Sequence, residues 1–446
     1  MTYKKLFGTD GVRGPVGIFP IEPASLVKIA FSMATFFAQK HPQEKLKCLI
    51  GKDTRISGYM IESALVSGLL SKNVDVVYLG PIPSPGVAML VPSLKAHFGI
   101  MISASHNPYH DNGIKIFDTS GEKITSHQQE QIEHIFYSKE FLQTENIGKA
   151  SRLIDCTGRY IEFVKRTLPQ TFNLTGMKIV LDCANGSGYK FAPRILEELG
   201  AEVISMAYHP DGYNINDKCG ATATKQLSQA VIHYEADVGL ALDGDADRIV
   251  IVDEKGREIK GEHLIAALVL TLQAKKCAIT CVSNPALVQY LISHNVEVFI
   301  SDVGDGKVLA LMKQYEVPIG GEPSGHYILS QFLNSSDGMI AGLQVLHFLK
   351  DTRQKASALS QTFPLMNSYE KKFILQDQTF TNEMIHDYLS NTIFDSHYVV
   401  RKSGTEKALR LHMWHNEKNI LETEAEKISL LIEKFLSSDH CSHIYG

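Results

Sequence analysis

Short apolar runs alternate along most of the chain with longer stretches whose apolar residues recur at helical spacing. In the first part the pattern predicts strands at Lys47–Gly51, Val74–Leu79, His97–Ile102 and Ile114–Phe117. Between them it predicts a helix capped by Ser57 that runs through Ile61, Ala64, Leu65 and Leu69, a further helix after Pro85, and a closing helix from Ser126 to Phe136. The same alternation returns with strands at Met177–Asp182, Ala201–Met206, Ala236–Leu242 and Ile249–Val252, and helices at Tyr189–Leu199 and Leu227–Tyr234. A third block follows, with helices at Glu262–Lys276, Pro285–Ser293, Lys307–Tyr315 and 337–350 around strands at Ala278–Val282, Val296–Ser301 and Val317–Ile319. Strands alternating with helices imply crossover units and mostly parallel sheets.

From about residue 368 the pattern changes. Strands at Lys371–Leu375, Tyr398–Lys402 and Ala408–Trp414, with helices at Phe380–Asn391 and Leu421–Leu436, predict a smaller α+β unit. The fold class is therefore α/β: three α/β domains with mostly parallel mixed sheets, followed by an α+β domain. The expected boundaries are 1–150, 151–255, 256–366 and 367–446, with Thr362–Asn367 as the linker into the last unit.

Composition narrows the function classes. A chain of 446 residues, 44% hydrophobic and 21% charged, has ample material for several cores. A net charge of −5 argues against a general nucleic-acid binder. No apolar run approaches the ~18 residues a membrane span needs, and Met1–Gly8 lacks a signal-peptide apolar region. The seven cysteines are scattered, and an odd count suits a reduced, cytoplasmic protein rather than a disulfide framework. An oligomer is compatible with this sequence.

Candidate chemistry lies in the loops. Ser103-Ala104-Ser105-His106-Asn107-Pro108 leaves a buried strand and returns through Asn112-Gly113 to a second one. Ser105 could there serve as nucleophile, turn former or phosphate carrier. A hydrolase triad is disfavoured: His106 follows Ser105 directly, so the side chains should diverge, and no G-x-S-x-G elbow surrounds the serine. In Asp243-Gly244-Asp245-Ala246-Asp247-Arg248, three carboxylates at alternate positions between apolar strands would repel without a cation. An oxygen-only set suits a hard ion such as Mg²⁺. It is no EF-hand, because Arg248 replaces the required glycine and strands replace the flanking helices.

Two more loops carry polar groups. Gly320-Gly321-Glu322-Pro323-Ser324-Gly325-His326 offers a carboxylate, a hydroxyl and an imidazole that could meet sugar hydroxyls, or form a plain polar turn. Arg401-Lys402-Ser403-Gly404-Thr405-Glu406-Lys407 has the makings of a phosphate nest or of an exposed hairpin tip. The stretch 303–308 fails as a Walker loop, since Ser301 and Val308 replace the required glycine and Ser/Thr.

These four loops, in this order and each in its own block, resemble the α-D-phosphohexomutase family nearly end to end. Phe7–Gly14, Gly51–Met60, Pro210–Asn216 and Ala341–Leu346 add to the likeness, which is greatest to the family's bacterial amino-sugar branch. The resemblance implies related domains around a central cleft. It also implies interconversion of glucosamine 6-phosphate and glucosamine 1-phosphate, toward UDP-N-acetylglucosamine, through a phosphoserine and a sugar bisphosphate. Carried over residue by residue, Ser105 is the phosphorylated serine, and one Mg²⁺ is held by its phosphate with Asp243, Asp245 and Asp247. Lys115, Arg13 and Arg248 line the transfer site, with His326 as a further acid–base candidate. Glu322 and Ser324 grip sugar hydroxyls, while Arg401, Ser403, Gly404 and Thr405 hold the non-reacting phosphate. The implied partner is a small sugar phosphate, with a sugar 1,6-bisphosphate as activator. Three departures stand out: Lys402 and Lys407 replace the usual prolines of the phosphate loop, Gly306 replaces an arginine, and Pro323 fills the variable position of the sugar loop. The alternatives are a mannose or glucose phosphomutase, a phosphatase that releases the phosphoserine to water, and a non-catalytic sugar-phosphate sensor.

Overall fold

The computed structural model describes residues 5–8, 11–375, 380–390, 392–403 and 407–437, which form four sheets in chain order. The first runs Val12–Pro15, Asp111–Phe117, Phe98–Ile102, Lys47–Lys52, Asp75–Pro81, Ala150–Arg152. Its last four strands are parallel and its first two join antiparallel. Phe98–Ile102 is buried at every residue, as a strand covered on both faces must be. Helices Pro23–Lys40 and Gly58–Ser71 cover one face, packing Met33, Phe37, Ile61 and Leu65 on Cys48, Ile50 and Ile100. Helix Ser84–Ser93 covers the other, with Val87 and Val91 on Leu49 and Met101, so neighbouring strand residues alternate between two cores.

The second sheet runs Glu258–Ile259, Ile249–Asp253, Val238–Leu242, Lys178–Asp182, Glu202–Met206; the third runs Glu297–Ser301, Lys276–Thr280, Ile319–Gly321, Tyr327–Leu329. Each again has a parallel part extended by antiparallel strands. The fourth is antiparallel throughout, Asn367–Ile374 and His397–Lys402 flanking Ala408–His415, with helices Asn382–Ser390 and Lys418–Ser437 packed on it. In each of the first three sheets the turn of one antiparallel hairpin carries one of the candidate loops.

One apolar core runs continuously from Tyr160 to Trp414, so the second and third sheets share their interior. Helix Gly338–Thr352 joins them, capped by Asp337, whose carboxylate accepts from the Ile340 N–H at 3.0 Å. The helix lies so close to strand Ile249–Asp253 that a Cβ on Gly342 would come within 2.4 Å of Ile249 Cδ1. Among the described residues no helix is long and apolar enough to cross a membrane.

Several local expectations are corrected. The helix expected over Glu262–Lys276 spans Gly261–Thr271, because Gln273 takes a left-handed φ of 49° and Lys276–Thr280 forms the strand. The helix expected over Tyr189–Leu199 splits into a 3₁₀ turn at Ser187–Tyr189 and an α-helix at Ala192–Glu198, with Pro193 in its first turn. Ser57 does not cap its helix; its hydroxyl accepts instead from Asn112 Nδ2 at 2.8 Å. The expected linker is no loose tether: Phe363 and Met366 are buried, and Asn284 bonds both backbone groups of Met366. Strand pairing also carries the first sheet to Arg152 and the second to Ile259, past the expected boundaries at 150 and 255.

Candidate functional site

Ser105 stands at the start of the hairpin turn between Phe98–Ile102 and Asp111–Phe117, and it is 1% exposed. Its backbone is left-handed, with φ 52°, a conformation uncommon for a residue carrying a Cβ. Its Oγ donates to Asp243 Oδ2 at 2.6 Å, across 138 residues of chain. The same handedness overturns one expectation. His106 does not diverge from the serine: its Nδ1 lies 3.4 Å from Ser105 Oγ, because the left-handed residue turns both side chains to one side. Burial, with Arg248 and Arg13 nearby, pulls His106 down to about 3, so the ring is neutral.

The hairpin that carries Asp243–Arg248 brings its three carboxylates inward. Asp243, Asp245 and Asp247 are all buried, and each offers an oxygen within 4.8 Å of the others. Lys115, 1% exposed, places Nζ 2.7 Å from Asp245 Oδ2 and 2.6 Å from Asp247 Oδ2. Ser84 Oγ also donates to Asp245 Oδ2, and the Ser84 N–H donates to the Asp245 carbonyl at 2.9 Å. Burial and two neighbouring carboxylates push Asp243 up to about 7. Burial would also raise Asp247, but Lys115 and His326 hold it well below the usual carboxylate range. Asp245 Oδ1 is buried with no hydrogen-bond partner. An orphaned carboxylate oxygen beside two further converging carboxylates fits a hard divalent cation.

The hairpin that carries Glu322–His326 closes on the same cluster. The Ile249 N–H donates to the Gly325 carbonyl at 3.1 Å, tying the two turns together. His326 Nε2 lies 3.2 Å from Asp247 Oδ1, and Nδ1 lies 2.9 Å from Glu322 Oε2. Burial and Arg248 oppose the imidazolium, yet Asp247 and Glu322 raise His326 to about 9. Arg248 Nε, 3.1 Å from the same Nε2, can donate there only to a neutral ring; with two carboxylates facing the ring the charged form is favoured. Glu322 is 5% exposed and its other oxygen accepts from the Gly304 N–H at 2.9 Å, whereas Ser324 is exposed.

Arg13 lies beside the serine turn, its Nη1 3.5 Å from the Ala104 carbonyl. Arg401 is half-buried outside this hydrogen-bonded cluster; its Nε has no partner among the described residues. Burial lowers its pKa. Ser403 ends the described part of that loop, and Gly404 and Thr405 lie outside the described residues. The structure thus brings together Ser105, Lys115, the three aspartates, Arg248, His326 and Glu322, with Arg13 beside the serine turn and Arg401 outside the cluster.

Sequence reasoning missed Ser84, Asp53, Arg55 and Asn216, all bonded to this cluster or to the serine turn. Asp53-Thr54-Arg55 and Pro83-Ser84 both follow predicted strands, which was the signal that singled out Ser105.

Residues 4–143, 158–256 and 260–366 match the phosphoglucomutase/phosphomannomutase α/β/α domains I, II and III, respectively. The chain is 42% identical over 449 aligned positions to phosphoglucosamine mutase of Aliarcobacter butzleri (strain RM4018), covering 97% of this chain and 100% of that one. It is 41% identical to the phosphoglucosamine mutase of Bdellovibrio bacteriovorus, covering 97% and 99%. Among solved structures, a phosphoglucomutase/phosphomannomutase family protein from Burkholderia thailandensis superimposes with a TM-score of 0.83 at 21% identity, covering 97% and 98%. Three matched domains and end-to-end relatives agree, and the chain belongs to the phosphoglucosamine mutase family of α-D-phosphohexomutases.

Proposed function

We propose that this chain interconverts glucosamine 6-phosphate and glucosamine 1-phosphate, with Ser105 as the residue that carries the phosphoryl group between turnovers. The observation that carries this reading is the 2.6 Å contact of Ser105 Oγ with Asp243, inside a buried cluster of three carboxylates and one lysine. A serine whose task was to form a turn would not be buried against a carboxylate 138 residues away. The full-length relatives named phosphoglucosamine mutase supply the substrate.

Phosphoryl transfer asks little covalent chemistry of a protein; it needs positioning and positive charge at the equatorial oxygens. Lys115, Arg13 and Arg248 supply that charge at Ser105. Asp243, Asp245 and Asp247 would hold Mg²⁺, which when bound neutralises phosphate charge. The phosphoryl group leaves the Ser105 oxygen as a sugar hydroxyl bonds to phosphorus. That hydroxyl's proton ends on the departing Ser105 oxygen, restoring the O–H that donates to Asp243. The bisphosphate then reorients, its other phosphate returns to Ser105, and the isomeric monophosphate departs. Arg401 and Ser403 hold whichever phosphate is not reacting, and Ser324 and Glu322 meet the sugar hydroxyls. Glu322 has to exchange its bond with Gly304 to do so.

The test is ³¹P NMR of the purified chain with Mg²⁺ and a trace of glucose 1,6-bisphosphate, offered glucosamine, mannose or glucose 6-phosphate separately beside a Ser105→Ala control. Serine-dependent formation of glucosamine 1-phosphate, with the other sugars much slower, is the expected result. Preference for another sugar overturns the substrate, release of inorganic phosphate makes the chain a phosphatase, and no reaction with any sugar overturns the reading.

A further inference from the structure

Arg55 is 1% exposed, and its guanidinium is aimed at the backbone carbonyls of the serine turn. Nη2 donates to the Ser105 carbonyl at 2.9 Å and to the Asn107 carbonyl at 2.7 Å. Nη1 donates to the Asp111 carbonyl at 3.1 Å and to that of Pro108, and Nε donates to Asp53 Oδ2 at 2.8 Å. Every guanidinium nitrogen is thereby engaged, a use the flexible point charge of lysine cannot reproduce.

A second donor reaches the same two carbonyls from the second block. Asn216 Nδ2 lies 2.9 Å from the Ser105 oxygen and 3.1 Å from that of Asn107. The serine's other backbone group is fixed as well: its N–H donates to Ser103 Oγ at 2.8 Å, and Ser103 in turn donates to Asp53 Oδ2 at 2.7 Å. Gly244 of the metal loop presses on the same carbonyl, for a Cβ there would come within 2.5 Å of it.

We propose that Arg55 and Asn216 form a two-sided clamp on the Ser105 carbonyl, a positioning device that holds the serine in its left-handed backbone so that Oγ points at Asp243. The proposal rests on the phosphoserine reading above. A left-handed residue with a side chain persists only where its surroundings over-determine it. Here both backbone groups of Ser105 are held, from two different blocks. Release of the carbonyl lets φ relax toward ordinary values, which swings Cβ and takes Oγ off its line. Neither Arg55 nor Asn216 is assigned any contact with substrate, so the clamp acts on the transfer step and leaves sugar binding alone.

The experiment compares the parent chain with Arg55→Lys, Asn216→Ala and Arg55→Ala, the last with and without millimolar guanidinium. Steady-state kinetics with glucosamine 6-phosphate are read beside uptake of phosphate at Ser105 from glucose 1,6-bisphosphate, followed by intact mass. Circular dichroism and thermal melts report the fold. Each variant is expected to keep its KM within a few-fold while kcat and the rate of serine phosphorylation fall by about 100-fold, the loss a misplacement on the order of 1 Å brings. Guanidinium is expected to restore part of the rate to Arg55→Ala. If Arg55→Lys fails to fold, Asn216→Ala, whose side chain is only half-buried, decides alone. Folded variants that phosphorylate Ser105 as fast as the parent overturn the clamp, as does a rate loss matched by a rise in KM. A parent chain that takes up no phosphate at Ser105 overturns the mutase reading itself, and the clamp's catalytic purpose with it.

Discussion

Replacing Lys115 with methionine tests how the carboxylate cluster is held together. The ammonium is 1% exposed and lies 2.7 Å from Asp245 and 2.6 Å from Asp247. At an effective dielectric constant of about 20, each contact is worth about 6 kcal/mol of direct attraction. Withdrawing the lysine from water costs several kcal/mol and offsets much of that sum. Methionine keeps the bulk of the stem and removes the charge, leaving the carboxylates facing one another. Loss of one partner from a buried pair costs about 3–5 kcal/mol, which lowers the first melting transition by roughly 6–20 °C. A divalent cation can replace the missing charge, so Mg²⁺ should raise the melting temperature of Lys115→Met well beyond what it adds to the parent. Calorimetry across a magnesium titration, with calcium-free buffer and a chelator as the zero point, makes the measurement. Equal responses of variant and parent to Mg²⁺ would refute the argument, as would a variant as stable as the parent without metal.

Two further outcomes follow from separate parts of the molecule. Arg401→Ala should raise KM for both the 1- and the 6-phosphate by about tenfold or more, because one anchor serves either end of the sugar. A change confined to one isomer in steady-state kinetics would contradict that. His263 is buried against the Phe363 ring, 4.6 Å between centroids, and burial lowers its pKa below 6.5. The unfolded chain therefore binds this proton first, and stability falls as pH drops below about 6.5, by up to roughly 1.4 kcal/mol per pH unit until the folded pKa is reached. His263→Leu should flatten that part of the parent's pH–stability curve, and parallel curves for the two chains would rule the histidine out.

The blocks were legible because helical and strand periodicities are local, and Asp243-Gly244-Asp245-Ala246-Asp247 was legible because like charges so close in sequence need a common explanation. Partners far apart in the chain were not. Ser84 meets Asp245 across 161 residues and Arg55 meets the Ser105 carbonyl across 50, and neither residue type at those positions signals anything alone. The divergence expected of Ser105 and His106 assumed an ordinary backbone, and the left-handed φ of 52° is imposed by tertiary contacts. The mixed, mostly parallel sheets were legible too, and in the first three the candidate loops stand on antiparallel hairpins added to the parallel part. A hairpin turn is set by both of its strands, which fixes a loop more closely than a crossover entering a helix.

The same geometry links phosphorylation to metal binding. As a free hydroxyl, Ser105 donates a hydrogen bond to Asp243 and needs no cation between them. Phosphorylation removes that donor and adds roughly 1.5 to 2 negative charges beside three buried carboxylates that have one lysine among them. Phosphate and Asp243 then repel unless a cation stands between them. The phosphorylated chain should accordingly bind Mg²⁺ more tightly than the unphosphorylated one, by about 5–150-fold for a coupling of roughly 1–3 kcal/mol. Reciprocity requires Mg²⁺ to favour the phosphorylated form by the same factor. Isothermal titration of Mg²⁺ into the two forms, separated and verified by intact mass, measures the first side; the phosphorylation level reached with glucose 1,6-bisphosphate at graded Mg²⁺ measures the second. A magnesium affinity indifferent to Ser105 phosphorylation would mean that the phosphate lies outside the metal's reach, and that Lys115, Arg13 and Arg248 carry its charge without help.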